Sequence, residues 1–228
     1  MQRRKFTSEL VSIIGLGALA TPAVRAASFT EGDAALGVRT ALERGATAAV
    51  GLLGQPGGFL DNPRVRIPLP GGLDKAAKLL RATGQGQRVD ELITAMNRAA
   101  EAAVPEAKTL LISAVKSMSV DDARRIVTGG DNSVTTFFAS KTRKPLAIKF
   151  LPIVEQETRK VALGEKYNAV AGRAAGFGLL KKEDANVEQY VTNKALDGLY
   201  YMIGQQERQI RQNPMATGSA ILQKVFGR

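Results

Sequence analysis

The chain has 228 residues, 44% of them hydrophobic and 23% charged, with a formal net charge of +11, the balance of a globular protein with a basic surface. It contains no histidine and no cysteine. Their absence excludes serine–histidine and cysteine–histidine nucleophilic sites, thiolate zinc sites and disulfides.

Residues 1–26 read as an export signal. Arg3, Arg4 and Lys5 form a basic start, residues 10–20 an apolar run too short to span a bilayer, and Val24-Arg25-Ala26 a cleavage spacing. The cut is expected after Ala26, which places the remainder, 27–228, in the periplasm as one domain. QRRKF resembles a twin-arginine signal, although Gln2 and Thr7 depart from that pattern. An ordinary secretory start is the alternative.

The next helix is expected at 30–53, where Ala35, Val38, Leu42, Ala46, Ala49 and Leu53 make a stripe at helical spacing. Residues 54–72 cannot continue it: Pro56, Pro63, Pro68, Pro70 and five glycines predict a long extended crossing. Phe59, Leu60, Ile67 and Leu69 would staple that crossing to the helices, and Arg64 and Arg66 would present charge. A short helix over 72–83 stops at Gly84. Helix 87–104 carries Val89, Leu92, Ile93, Met96, Ala100 and Ala103, and Pro105 breaks it and opens another through Met118. Ser119 with Asp122 forms a capping box for a short helix ended by Gly129-Gly130. Asp131 is expected to cap the next helix, docked by Val134, Phe137 and Phe138.

A separate helix is expected over 144–163, opened near Pro145 and kinked or shortened by Pro152. Another follows at 165–176. The organising stretch is 186–212, the longest proline-free run with bulky apolar residues. Val187, Val191, Ala195, Leu199, Met202 and Ile203 line one face, and Tyr190, Leu196, Tyr200 and Tyr201 widen it. Asn186 caps it and Asn213-Pro214 stops it; a last helix spans 217–226. The sum is an all-α, single-domain bundle of about nine helices with one long proline- and glycine-rich extended crossing.

Several motifs are specific. SVDDA at 119–123, TGGD at 128–131, Phe137-Phe138, KFLPIV at 149–154, YNAVAG at 167–172 and KALDGL at 194–199 resemble those of domain of unknown function family 4197. So do FLDNPRVRIPLP at 59–70, MNRAAEAAVPEAK at 96–108 and GSAILQKVFG at 218–227. The resemblance implies an exported or envelope-associated bacterial protein, helical, with no assigned activity, and it transfers no functional residue.

The remaining chemistry is sparse, and no catalytic residue, metal ligand or cofactor is assigned. A basic cluster of Lys141, Arg143, Lys144 and Lys149, flanked by Phe138 and Phe150, suits anionic lipid head groups, and Arg64, Arg66, Lys141, Arg143 and Lys149 are the basic face that would present charge to them. Phe137, Phe138, Tyr190, Asp197, Tyr200 and Tyr201 are the candidate lining of an apolar, aromatic pocket. Asp197, in the most apolar part of the hub, is the carboxylate whose burial would raise its pKa. Convergence of Asp197 with Lys194 and Glu101 would mark an enzyme. Asn97, Arg98 and Glu101 read as an intrahelical pair or a packing clamp. The first reading is a non-enzymatic binding or structural module; the alternatives are a binder of anionic surfaces and, more remotely, a carboxylate–lysine enzyme. An envelope protein and an anionic lipid surface are the partner classes left open, and no nucleic acid is expected.

Overall fold

The computed structural model describes residues 31–70, 73–160, 167–168 and 186–213. Their elements are α1 (Glu31–Leu53), α2 (Asp74–Ala82), α3 (Gly86–Ala103), a 3₁₀ turn (Val104–Glu106), α4 (Ala107–Lys116), α5 (Val120–Thr128), α6 (Ser133–Thr158) and α7 (Val187–Gln212). There is no strand among the described residues, so the all-α class holds. The expected export signal and the helix at 217–226 lie outside the described residues, as does the helix at 165–176 apart from Tyr167 and Asn168.

The sequence-level boundaries hold to within a few residues at α1, α2, α3 and α7. The break at Pro105 is a single 3₁₀ turn between α3 and α4. Ser119 and Asp122 form the capping box of α5: the Asp122 N–H donates to Ser119 Oγ at 3.0 Å, and the Ser119 N–H donates to Asp122 Oδ2 at 3.1 Å. The Asn186 side chain caps α7 by accepting from the Gln189 N–H at 2.8 Å. The N-cap of α6 is Asn132 rather than Asp131, and its side chain makes no capping bond.

One expectation is overturned at α6. Two helices were expected there, the second opening near Pro145, but α6 runs unbroken for 26 residues with Pro145 and Pro152 inside it. Both prolines are exposed. The carbonyls four residues back, Lys141 O and Ile148 O, therefore lose their helical N–H donors. The opposite face carries Thr142, Leu146, Phe150, Val154 and Thr158, one residue per turn, all buried. An interior proline costs about 3 kcal/mol. Burying Leu146, Phe150 and Val154 stabilises by about 1.5–3 kcal/mol each, enough to carry the helix through both.

The crossing is the second correction. Most of 54–70 is coiled into turns: Gly58 N–H bonds to Gln55 O, Asp61 N–H to Gly57 O, Asn62 N–H to Phe59 O, and both Val65 and Arg66 N–H to Asn62 O. Only the stretch from Arg66 to Pro70 is free of turns. Gly57 adopts φ +87°, a conformation that side chains disfavour. A Cβ at Gly58 would collide with the Leu53 carbonyl oxygen.

One continuous apolar core joins α1, the 54–70 loop and α3 through α7. The hub is shared: α7 packs chiefly on α6 and α1, and α6 in turn packs on α3. Val187, Tyr190, Val191, Ala195, Leu196, Leu199, Tyr200 and Ile203 of α7 are all buried, whereas Met202 is half-buried and Tyr201 exposed.

Candidate functional site

The structure separates the aromatic set into core and surface. Phe137 and Phe138 are buried and meet edge to face with ring centroids 5.6 Å apart. Tyr190 is buried, and its hydroxyl donates to Pro68 O at 3.0 Å. The Tyr200 hydroxyl shares a 2.8 Å hydrogen bond with the Thr142 hydroxyl. Burial pushes Tyr200 up from its ordinary pKa, opposed by Thr142 and the nearby Arg143 guanidinium. These rings fill the core and tie elements together. A cavity between α1, α5, α6 and α7 is lined by none of them.

Asp197 is not buried: its side chain is half exposed and accepts from Arg143 at 2.7 Å. The reason is its place on α7. Its neighbour Gly198 faces inward, with space so tight that a Cβ there would lie 2.7 Å from the Phe59 ring, so Asp197 points along the surface. The enzyme constellation does not assemble. Asp197 pairs with Arg143, Lys194 Nζ sits 5.8 Å from the centre of the Tyr190 ring, and Glu101 is buried under the 54–70 loop.

The basic set is also divided. Arg64 and Arg66 are exposed on the loop. Arg143 is engaged by Asp197 and lies 5.9 Å over the Tyr200 ring. Lys149 stands 4.0 Å from Glu106. Lys141 and Lys144 are exposed on α6.

The polar groups that the fold brings together are others. Asn97 on α3 receives the Ile67 N–H at 2.8 Å and donates from Nδ2 to Ile67 O at 2.9 Å and Ile93 O at 2.8 Å. One turn on, Glu101 Oε1 accepts the N–H groups of Phe59 and Leu60, both at 3.0 Å, while Oε2 accepts from Arg98 at 2.6 Å. Burial alone would push the Glu101 carboxyl up; the donors Leu60, Arg98 and Phe59 outweigh it and hold the carboxyl below its ordinary value of 4.5. The reading of Asn97, Arg98 and Glu101 as a clamp therefore holds, and its object is the loop. A polar pair four residues apart inside an apolar stripe was the available signal.

Glu207 on α7 was missed. It is buried at the junction of α5, α6 and α7. Its Oε1 accepts from Arg211 Nε at 2.9 Å and from Ser133 Oγ at 3.2 Å, and Arg211 also donates to Ile126 O at 2.7 Å. Oε2 has no hydrogen-bond partner. Burial pushes the Glu207 carboxyl above its ordinary value of 4.5, and Arg211, Ser133 and the Val134 N–H do not offset it. The adjoining cavity of about 20 Å³ has room for roughly one water molecule. Its spacing from Ile203 and Arg211 at helical steps was visible, but a polar residue near a helix end gives no sign of burial.

Among the described residues, no three acidic side chains gather to hold a metal ion. A family model described as a protein of unknown function (DUF4197) matches residues 28–227, and the chain belongs to that family. No curated protein and no solved structure matches the chain.

Proposed function

We propose that this member of the DUF4197 family is an exported, single-domain, non-enzymatic module that works through its surface, as a binding or structural protein of the cell envelope. One observation carries the reading: apart from Glu207 Oε2 and the Thr192 hydroxyl, which have no partner, the buried polar side chains among the described residues are turned on the fold itself. Asn97 and Glu101 hold loop backbone, Thr142 and Thr158 bond the carbonyls of Phe138 and Val154 on their own helix, and Glu207 ties α7 to α6. Active sites instead aim perturbed groups into a cleft that admits substrate. The described aromatic residues support the same reading, since all of them but Tyr201 are buried in the core.

Native mass spectrometry of the protein recovered from its own envelope tests this. The expected result is a chain beginning at Ala27 that retains a lipid or protein partner. An uncleaved chain removes the export reading. A small organic substrate held inside the fold and turned over on incubation removes the non-enzymatic one.

A further inference from the structure

The outward face of α6 has an unusual make-up for a solvated helix. Ile148 is 76% exposed, with Lys144 one turn before it and Lys149 beside it, and Lys141 one turn earlier again. The rings of Pro145 and Pro152 lie exposed along the same face. Lys141 and Lys144 carry no ion pair among the described residues, and Lys149 is only at the limit of one with Glu106. The carbonyls of Lys141 and Ile148 lack their helical donors because residues 145 and 152 are prolines. The face is positive and carries an exposed apolar residue at its centre, and it holds two carbonyls without a helical donor.

We propose that this face of α6 lies against an anionic phospholipid surface, with Lys141, Lys144 and Lys149 on the phosphates and Ile148 seated at the head-group boundary. The proposal rests on the surface-module reading and names its partner. Charge complementarity selects an anionic surface. Lysine stems can lie along the apolar Ile148 while their ammonium groups stay in the wet layer. The two carbonyls decide between lipid and protein. A dry protein interface would bury them without donors, at a cost, whereas a head-group layer supplies water, hydroxyl and ammonium donors. No helix among the described residues is long and apolar enough to cross a membrane, and the contact proposed is peripheral. The set narrows the basic residues singled out in the sequence: Arg143 is engaged by Asp197, Arg64 and Arg66 lie on the loop, and only Ile148 enters.

The chain has no tryptophan, so an Ile148→Trp variant carries a single reporter. Mixed with phosphatidylglycerol vesicles, its emission is expected to shift to the blue, with no shift on phosphatidylcholine and a weakening shift as salt rises. A Leu79→Trp variant, at another well-exposed site on α2 (66%), is expected to stay unchanged. In sedimentation with the same vesicles, the Lys141→Gln/Lys144→Gln pair is expected to weaken binding of the otherwise natural chain by about 30-fold. The charge-matched pair Lys78→Gln/Lys116→Gln is expected to weaken it far less. The proposal is overturned by a silent Ile148→Trp reporter, by equal losses from the two lysine pairs, or by a reporter that answers polyglutamate but not vesicles, which would assign the face to an acidic protein. None of these outcomes touches the non-enzymatic reading, which native mass spectrometry tests separately.

Discussion

Glu101 and Glu207 are both buried acids within reach of an arginine, yet the structure moves their pKa values in opposite directions. Glu101 meets two loop N–H groups and Arg98, so each oxygen has a donor. Glu207 has Arg211 and Ser133 on Oε1, with the Val134 N–H also facing the carboxylate, and no hydrogen-bond partner on Oε2. Burial raises a carboxyl in both places; the donors facing it outweigh burial at Glu101 and do not at the more deeply buried Glu207. The loop end is a satisfied clamp; the junction of α5, α6 and α7 is an incomplete one.

The strongest way to break this contrast is truncation. Glu101→Ala strands the Phe59 and Leu60 N–H groups under the loop and is expected to cost about 3 kcal/mol in urea unfolding. Glu207→Ala is expected to cost clearly less, because Arg211 keeps Ile126 O and Ser133 as partners. Equal losses would erase the distinction. Next comes the packing beneath the loop. Gly198→Ala sets a methyl group 2.7 Å from Phe59, whose ring is fully buried. The loop cannot swing aside while Asn97 and Glu101 hold it, so a loss of about 2 kcal/mol is expected by the same measurement.

pH sharpens the comparison further. The Glu101 carboxyl is depressed in the folded chain, so its contribution is present above the ordinary value of 4.5 and fades as pH falls through the folded value. The Glu207 carboxyl is raised, so its contribution is present below 4.5 and fades as pH rises through the folded value. Stability measured across the acid range is expected to lose part of its acid-side fall in Glu101→Gln. Glu207→Gln is expected to remove a decline on the other side of 4.5. The smallest effect belongs to the surface pair. Asp197→Ala is expected to change stability by less than about 1 kcal/mol, since both partners are near half exposed. A larger loss would restore Asp197 to the core.

Much of the helical framework was legible because its periodicity is local. The α7 stripe from Val187 to Ile203 and the Ser119–Asp122 box needed no distant partner to be read. α6 was misjudged at Pro145, because local propensity says nothing of a buried ladder from Thr142 to Thr158 that outweighs two exposed prolines. Asp197 was placed inside because its neighbours are apolar, although the strand of sequence that fixes its direction is the loop lying on Gly198. The clamp itself was half visible. Arg98 and Glu101 are an intrahelical pair, but the acceptance of the Phe59 N–H spans 42 residues, and no spacing rule reaches that far. Glu207 depends on three helices meeting, which the sequence does not reveal.

The central claim is that the 54–70 loop, irregular as it is, belongs to the rigid body through Asn97 and Glu101. Native-state hydrogen exchange measures this directly. The account expects the amides of Phe59, Leu60 and Ile67 to exchange only on global unfolding, as slowly as the centre of α7. Exchange of those three at the rate of an open surface loop, with α7 still protected, would contradict it.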